Sequence, residues 1–237
     1  MTAGPTTAMV LAAGLGTRMR PLTDKLPKAL VTVAGRTLLD RVLDKLAQAG
    51  VERAVVNVHH FADQVEAHLK TRTDLEILIS DERETLLDSG GGIQHARPLL
   101  GEDPILVANI DSLWLEGATP ALEGLKRTWK PEVMDLLLMI VRRGHGIGFE
   151  GPQGFLMDEA GRLTHSASPE VVTPFANVGF GILKPQILDG QASPAFSIVP
   201  IWHRLQAQGR LYGAPMDAFW MHVGDPAARD EAEARLV

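Results

Sequence analysis

Short apolar runs alternate with helix-like segments through the first 141 residues, and this alternation limits the possible fold more than any other feature of the chain. Residues 8–13 form an apolar run that stops at Gly14, as is typical of a buried strand. In residues 38–47 the apolar side chains recur at helical spacing, and Gly50 ends that helix. The same reasoning predicts strands at 54–58, 75–79, 105–108 and 135–141, and helices at 62–69 and 121–129.

Strands that alternate with helices form a mainly parallel sheet with helices on both faces. We therefore predict an α/β fold, a Rossmann-like three-layer α/β/α sandwich with a mainly parallel central sheet and an elaborated C-terminal half. The elaboration begins after about Gly144, where the strands become short and are separated by glycines. We expect these strands at 154–157, 162–165 and 177–183, with helices at 198–208 and from Pro226 onward. A chain of 237 residues without a repeat or linker suits a single domain, residues 1–237.

The composition argues against several classes of protein. A formal net charge of −6 argues against a nucleic-acid binder, because such proteins usually carry a surplus of basic residues. The chain has no cysteine, which rules out disulfides, thiolate metal sites and a cysteine nucleophile. No stretch is apolar for long enough to cross a bilayer, so we expect no membrane partner and a cytoplasmic location. An acidic protein that binds phosphates must gather its positive charge in one place.

The most informative stretch is residues 11–30, in which glycines and basic side chains follow a predicted strand; its residues 14–30 are here named the phosphate loop. Gly14 and Gly16 permit a tight turn with positive φ and a close approach of the backbone to a ligand. Consecutive backbone N–H groups in such a turn form an anion-binding site. Arg18 can grip phosphate oxygens with its planar guanidinium, and Lys28 adds a compact positive charge.

Other catalytic and phosphate-binding loops do not fit the sequence. A Walker loop requires G-x-x-x-x-G-K-[ST], and that order is absent. A dinucleotide-binding loop requires a glycine or alanine where Met19 stands, and a carboxylate after the second strand, which instead runs Asn57-Val58-His59. The nucleophile motif G-x-S-x-G is also absent, so we expect no covalent enzyme intermediate.

The phosphate loop resembles the signature of the sugar nucleotidylyltransferase family, G-x-G-T-R-[LM]-x-P-x-T-x-x-x-P-K-x-[LM]. The residues that fall on its fixed positions are Gly14, Gly16, Thr17, Arg18, Met19, Pro21, Thr23, Pro27, Lys28 and Leu30. The resemblance implies that Arg18 and Lys28 are catalytic and hold the α-phosphate and the departing pyrophosphate. It also implies a set of nucleotide contacts around them, namely Leu11, Ala12, Ala13, Gly14, Gly16 and Thr17.

The resemblance extends along nearly the whole chain. Residues 87–93 resemble the family's second glycine-rich loop, so Gly90 and Gly91 are expected to pack against the nucleobase. Asp111 stands where the family has a strand-end aspartate that binds magnesium and takes part in catalysis, and Asn109 is a further expected nucleotide contact. The expected sugar contacts lie in later segments: Gly154, Asn177 and Gly179, with Asp135 as an additional candidate.

The expected metal site departs from the family pattern at one position. Where the family usually has an aspartate before Val-Gly, this chain has His222, and Asp225 follows three residues later. Three arrangements fit: His222 contacts phosphate, Asp225 takes over the metal, or Asp111 holds it nearly alone. We expect Asp111 and Asp225 as the ligands, with His222 as the alternative. The expected cation is Mg²⁺, which prefers carboxylate and phosphate oxygens, with Mn²⁺ as the alternative because imidazole suits it better.

The resemblance implies an enzyme that joins a nucleoside monophosphate from an NTP to a sugar 1-phosphate and releases pyrophosphate. Residues 1 to about 144 would bind the nucleotide, and residues from about 145 to 237 would bind the sugar. Its expected partners are therefore an NTP and a sugar 1-phosphate, and the chain is expected to be a monomer or a small homo-oligomer.

The choice of substrates rests on weaker similarities. The triple glycine at 90–92, Phe196-Ser197 and residues 209–213 are similar to the subgroup that couples UTP to N-acetylmuramic acid 1-phosphate in cell-wall recycling. Guanylyltransferases of mannose 1-phosphate and thymidylyltransferases of glucose 1-phosphate share the phosphate loop, so both stay open. A module of another class, which senses a nucleotide or sugar without catalysis, also stays open because of His222.

Overall fold

A computed structural model describes residues 4–236, so residues 1–3 and Val237, the two ends of the expected domain, lie outside the described residues. None of the helices in that range is long and apolar enough to cross a membrane. The helices are α1 (Leu38–Gln48), α2 (Ala62–Leu69), α3 (Asp88–Leu100), α4 (Ala121–Thr128), α5 (Val199–Ala207) and α6 (Pro226–Leu236). The strands are β1 (Thr7–Leu11), β2 (Thr32–Val33), β3 (Arg36–Thr37), β4 (Arg53–Val58), β5 (Glu76–Asp81), β6 (Ile105–Asn109), β7 (Ser112–Leu115), β8 (Leu136–Arg142), β9 (Gly146–Ile147), β10 (Gly154–Met157), β11 (Leu163–Ser166), β12 (Phe175–Leu183), β13 (Leu211–Pro215) and β14 (Phe219–His222).

The central sheet has nine strands and draws them from both halves of the chain. Its parallel part has the order β6-β1-β4-β5. β12 runs antiparallel to β6 and leads to β10 and β11, and it also pairs with β8, beside which β13 lies parallel. The predicted mainly parallel sheet with an elaborated C-terminal half is therefore confirmed. Because β1, β4 and β6 are parallel, their carboxyl ends lie together at one edge of the sheet.

Side chains of β1 enter two separate cores, one on each face of the sheet. Ala8 and Val10 are fully buried in the core that contains the apolar residues of α1, α2 and α4. Met9 is fully buried in the other core, with Ile93 of α3 and Ile201 of α5. A strand covered on both faces is apolar at nearly every position, which is why this segment is a continuous apolar run. The predicted three-layer arrangement is confirmed.

The helices and strands predicted from the sequence are all present, and each begins and ends within two residues of its predicted limits. One segment differs in kind. Residues 87–93 were expected to form a loop, but α3 begins at Asp88 and contains all three consecutive glycines. The strands that the sequence did not predict, among them β7, β9 and β14, have two to five residues each. Such short strands form only because a partner lies beside them, so local periodicity does not reveal them.

A small second sheet lies next to the carboxyl ends of the parallel strands, since its strand β7 follows directly after β6. β14 pairs with β7 and with β9, and the register places His222 opposite Ser112. Asp111 immediately precedes β7, and the N–H of Val223 donates a hydrogen bond to its backbone oxygen at 2.8 Å. This pairing therefore brings His222 beside Asp111, although the two residues lie far apart in the sequence.

Asp135, which the sequence suggested as a sugar contact, lies at the opposite edge of the sheet. It precedes β8, whose direction follows β6, so it stands at the amino end of the parallel strands. Arg210 donates to both carboxylate oxygens of Asp135, at 2.8 and 2.9 Å, and Lys184 donates at 2.8 Å. These bonds join the segments that precede β8 and β13 to the end of β12. The suggestion of a sugar contact at Asp135 is thus wrong, and the residue is structural.

The ion pairs of Asp135 predict a dependence of stability on pH. The hydrogen bonds from Arg210, followed by that from Lys184, lower the pKa of the Asp135 carboxyl from 3.8 to about 2. A carboxyl whose pKa is lower in the folded state stabilises it above pH 3.8, and this contribution is lost as the pH falls towards 2. Asp135→Asn should therefore lower the free energy of unfolding at pH 7 by about 1–2 kcal/mol, after allowance for solvent screening, and flatten its decline below pH 4.

The measurement is urea unfolding of both proteins at a series of pH values from 7 to 2.5. Asp230→Asn is the matched control, because its carboxylate is exposed and, among residues 4–236, pairs only with the neighbouring Arg229. That variant should change the free energy of unfolding by less than about 0.5 kcal/mol. Equal effects of the two substitutions would contradict the assignment.

Candidate active site

A cavity of about 540 Å³ opens at the carboxyl ends of the parallel strands. Leu11 ends β1, Asn57 lies near the end of β4 and Asn109 ends β6, and all three line the cavity. Ligands of open α/β sheets bind at this edge, where neighbouring connections leave to opposite sides of a strand. The other lining residues are Ala13, Gly14, Leu15, Gly16, Thr17, Arg18, Lys28, Glu82, Leu86, Asp88, Ser89, Ile110, Asp111 and Gly224.

Most of the nucleotide contacts expected from the sequence lie on this cavity. Those that line it are Leu11, Ala13, Gly14, Gly16, Thr17, Arg18, Lys28 and Asn109. Ala12 does not: it is buried, and its N–H donates to Asn57 Oδ1 at 2.6 Å. Gly90 and Gly91 also lie away from the cavity wall. From the same segment, Leu86, Asp88 and Ser89 reach the wall instead.

The shape of the phosphate loop depends on Gly16. Its φ of 64° lies in the left-handed region, which residues with a Cβ rarely adopt. A Cβ there would also lie 3.0 Å from Lys28 Cβ and 3.1 Å from Thr23 Cγ2. The Gly16 carbonyl accepts hydrogen bonds from Thr23 Oγ1 at 2.8 Å and from the N–H of Met19 at 2.9 Å. The loop is therefore folded onto itself, and Lys28 is packed against its glycine.

Arg18 and Lys28 of the phosphate loop are placed differently. Arg18 is exposed at the cavity wall, and within residues 4–236 it makes no ion pair and no side-chain hydrogen bond, so its guanidinium is available to a ligand. Lys28 is only 8% exposed, and its Nζ donates to Asp111 Oδ2 at 2.7 Å. The carboxylate compensates the buried ammonium and holds it at the cavity.

Asp111 also contacts His222, whose Nε2 lies 3.4 Å from Asp111 Oδ2. Burial opposes ionisation of the Asp111 carboxyl, but the hydrogen bond from His222 and the charge of Lys28 outweigh it and hold its pKa well below the usual range. Burial likewise disfavours the charged imidazole, yet Asp111 raises the pKa of His222. On the other side of the ring, His222 Nδ1 lies 2.9 Å from the carbonyl oxygen of Gly148. A carbonyl only accepts, so Nδ1 carries the proton and the ring orientation is fixed.

Asp225, the expected second metal ligand, is engaged elsewhere. Its Oδ1 accepts the N–H of Ala228 at 2.9 Å at the start of α6, and it does not line the cavity. Asp111 Oδ1, in contrast, accepts no hydrogen bond from any residue in the range 4–236. In the same range, no group of three or more His, Cys, Asp or Glu side chains is gathered closely enough to hold a metal ion. Within the described part of the chain, Asp111 Oδ1 is thus an unengaged donor on the cavity wall, whereas His222 does not line the cavity and reaches the site through its contact with Asp111.

The three consecutive glycines lie where other segments pack against α3. A Cβ on Gly90 would overlap the ring of Phe196, and one on Gly91 would overlap the carbonyl oxygen of Pro194. The N–H groups of Gly90 and Gly91 both donate to Phe196 O, at 2.9 and 3.0 Å. The prediction of a glycine-rich loop is therefore wrong for a packing reason. The glycines let residues 194–196 lie directly on the first turn of the helix.

A second cavity of about 200 Å³ adjoins the first and shares Leu11, Ser89 and Asn109 with it. Asn177 and Gly179, two of the expected sugar contacts, line this second cavity. Gly179 has a φ of 84° and comes so close to Asn109 that a Cβ would lie 2.8 Å from its Nδ2. Gly154, the third expected sugar contact, lines neither cavity and is buried against Thr173 and Phe175.

Sequence reasoning did not identify the buried polar pair Asn57 and Glu82. Charged residues in polar segments are ordinarily exposed, yet Glu82 is 2% exposed and Asn57 is 3% exposed. Asn57 Nδ2 donates to Glu82 Oε1 at 2.7 Å. The only local signal was the asparagine inside an apolar strand, where a buried amide requires partners.

Comparison with known proteins identifies the family of this chain. Residues 8–138 match the family model described as the MobA-like NTP transferase domain. The chain is 50% identical to N-acetylmuramate alpha-1-phosphate uridylyltransferase of Caulobacter vibrioides, over 100% of this chain and 99% of the relative. It is 34% identical to the protein of the same name from Neisseria meningitidis, over 96% of each chain.

Among solved structures, the fold is similar to UDP-glucose pyrophosphorylase from Acinetobacter baumanii, with a TM-score of 0.81. The similarity covers 98% of this chain and 93% of the other, at 17% sequence identity. At that identity the comparison supports the architecture and leaves the substrates open.

Proposed function

The chain belongs to the MobA-like NTP transferase family, and from this membership we propose that it transfers uridine monophosphate from UTP to N-acetylmuramic acid 1-phosphate and releases pyrophosphate. The observation that carries the proposal is the pair of adjoining cavities at one sheet edge, the larger of which contains Arg18 and Lys28. A triphosphate requires such a cationic cavity, and the second substrate requires a place beside it. The choice of uracil and N-acetylmuramic acid is supported by the two relatives that are 50% and 34% identical.

In the proposed reaction, a phosphate oxygen of the sugar 1-phosphate attacks the α-phosphorus of UTP. A new P–O bond forms there, the bond between the α-phosphorus and its bridging oxygen breaks, and the electron pair leaves with pyrophosphate. The attacking phosphate is already ionised near neutral pH, so no side chain has to act as a general base. The main obstacle is to bring two polyanions together in line, which is a task of positioning and charge neutralisation.

Arg18 and Lys28 of the phosphate loop would divide this task. Arg18 is exposed and unpaired within the described part of the chain, so its guanidinium can bind phosphate oxygens of UTP in a bidentate manner. Lys28 is held by Asp111 at 2.7 Å and therefore presents its charge at a fixed place. A charge that is fixed before the substrate binds needs no reorganisation during the reaction, which makes it more effective.

A divalent cation fits the donors that remain. We propose that Asp111 Oδ1 would hold it, and that His222 Nε2 would join as a second donor by exchanging its contact with Asp111 Oδ2 for the cation, because Asp225 Oδ1 is engaged at the start of α6. A bound cation would supply further neutralisation of the phosphate charge. With so few protein donors, most of its coordination would come from phosphate oxygens and water, as is usual for Mg²⁺. The imidazole favours Mn²⁺ relative to a site with two carboxylates.

The second cavity is our proposed site for the sugar. Asn177 and Gly179 line it, so residues from about 145 onward would bind the sugar while residues up to about 144 bind the nucleotide. N-acetylmuramic acid is a sugar of peptidoglycan, so the proposed product would return cell-wall material to biosynthesis. We propose a cytoplasmic location, because an NTP substrate is available there.

Replacing Lys28 should lower kcat more than it weakens substrate binding. Lys28→Ala takes away one fixed charge near the α-phosphate, and the loss of such a donor lowers kcat by about 10²–10³-fold. Lys25→Ala is the matched control, because Lys25 lies exposed in the same loop and does not line the cavity. Steady-state pyrophosphate release measures both variants. A Lys28→Ala enzyme with nearly wild-type kcat would contradict the role assigned to Lys28.

The metal proposal predicts different effects for the two candidate ligands. His222→Ala should weaken Mn²⁺ binding in the presence of UTP by about tenfold or more, because it removes one of the few protein donors. Asp225→Asn should leave Mn²⁺ affinity within about twofold and act instead on thermal stability through the start of α6. Electron paramagnetic resonance of free Mn²⁺ measures the affinity without relying on turnover. A larger loss of Mn²⁺ affinity in Asp225→Asn than in His222→Ala would identify Asp225 as the ligand instead.

A substrate panel tests the proposed function itself. UTP, GTP, dTTP and CTP are each paired with the 1-phosphates of N-acetylmuramic acid, mannose and glucose, and pyrophosphate release is measured with Mg²⁺ and Mn²⁺ in parallel. We expect the highest kcat/KM for UTP with N-acetylmuramic acid 1-phosphate. A preference for GTP with mannose 1-phosphate, or for dTTP with glucose 1-phosphate, would replace the proposed substrates. NTP binding without pyrophosphate release from any pair would favour a sensing module.

A further inference from the structure

Glu82 is a buried carboxylate whose hydrogen bonds come from neutral groups. It is 2% exposed, and its two oxygens accept from Asn57 Nδ2 at 2.7 Å and from the N–H of Leu87 at 3.2 Å. A buried charge that is compensated only by neutral donors lowers stability relative to an apolar or paired side chain. Glu82 also forms part of the wall of the larger cavity. Its position between two cavity-lining segments suggests that the side chain serves to connect them.

The side chain of Asn57 connects Glu82 to the start of the phosphate loop. Asn57 Oδ1 accepts the N–H groups of Ala12 and Ala13, at 2.6 and 3.2 Å. Because both partners on that side are donors, Oδ1 must face them, and Nδ2 must therefore face Glu82. Every donor along this path meets an acceptor. The result is a continuous hydrogen-bonded path, here named the Asn57–Glu82 bridge, from Ala12 and Ala13 to Leu87.

Gly92 provides independent support for the bridge. A Cβ at this position of α3 would lie 2.8 Å from Glu82 Oε1 and 2.9 Å from Asn57 Nδ2. Both distances are shorter than a side-chain carbon tolerates. The third consecutive glycine thus leaves room for the bridge between the helix and the strand ends.

We propose that Asn57 and Glu82 are positioning residues that set the distance between the phosphate loop and residues 86–89, so that one nucleotide can contact both. The inference rests on the proposed function, because it requires that an NTP occupy the larger cavity. Ala13 and Gly14 approach the cavity from the end of β1, and Leu86, Asp88 and Ser89 line it from the start of α3. Neither residue of the bridge needs to touch the nucleotide. The bridge matters only for a ligand long enough to reach both segments.

Exchanging the acid and the amide between positions 57 and 82 tests the proposed positioning role. In Glu82→Gln, the new amide group cannot satisfy both Asn57 Nδ2 and the Leu87 N–H, since both are donors. In Asn57→Asp, two carboxylates face each other. The double variant Asn57→Asp with Glu82→Gln restores complementarity. Its new carboxylate at position 57 accepts from Ala12, Ala13 and the new amide at position 82, whose oxygen accepts the N–H of Leu87.

The measurement is calorimetric titration of each variant with UTP and with inorganic tripolyphosphate. One lost hydrogen bond corresponds to about tenfold in affinity, so each single variant should bind UTP about tenfold more weakly. Tripolyphosphate lacks the nucleoside and would contact the phosphate loop without reaching residues 86–89. Its affinity should therefore change by less than about twofold. The double variant should regain UTP affinity to within about threefold of the wild type.

Val56→Ala is the control for a general loss of stability, because Val56 is fully buried beside Asn57 in β4 and has no part in the bridge. It should lower the melting temperature but leave the ratio of the two affinities unchanged. An equal loss of UTP and tripolyphosphate affinity in Glu82→Gln, or a double variant as weak as the singles, would overturn the inference. A wild-type protein that does not bind UTP at all would instead refute the proposed function.

Discussion

The contact between Lys28 and Asp111 is the interaction on which the rest of the site depends. The chain carries a net charge of −6, so a site for polyanions requires positive charge that is concentrated and kept in place. The two residues are 83 positions apart and meet only because β1 and β6 are neighbours in the sheet. The same carboxylate receives His222 from the small second sheet. The phosphate loop, the connection after β6 and the small second sheet thus meet at the side chain of Asp111.

Those features that are encoded locally could be predicted from the sequence. β1 is apolar on both faces because helices cover both faces, and this produces a continuous run that periodicity detects. The phosphate loop also carries its requirements within one short segment, since Gly16 needs its positive φ and Lys28 packs directly against it. Asp111 was identifiable because its place after the predicted strand at 105–108 matches the strand-end aspartate of the family. In each of these cases the cause lies close in sequence to the residue it explains.

Features that depend on distant segments were missed or misplaced. Gly90 and Gly91 suggested a loop, but their small size serves the approach of residues 194–196, about one hundred positions away. Asn57 and Glu82 form a pair across two strands, and neither has a local motif. His222 and Asp225 have different environments because one residue ends β14 and the other accepts a hydrogen bond at the start of α6. No local pattern contains that information.

The division of the site also bears on how substrates are distinguished in this family. A structure with 17% identity keeps the architecture, with a TM-score of 0.81, so the fold by itself does not select the sugar or the base. The family model ends at residue 138, before β9 and the strands that follow it. The second cavity draws much of its wall from this later region, including Asn177, Ser197 and Trp202. Under our proposal that the second cavity binds the sugar, selection of the sugar would fall to this later region and not to the parallel strands that carry the phosphate loop.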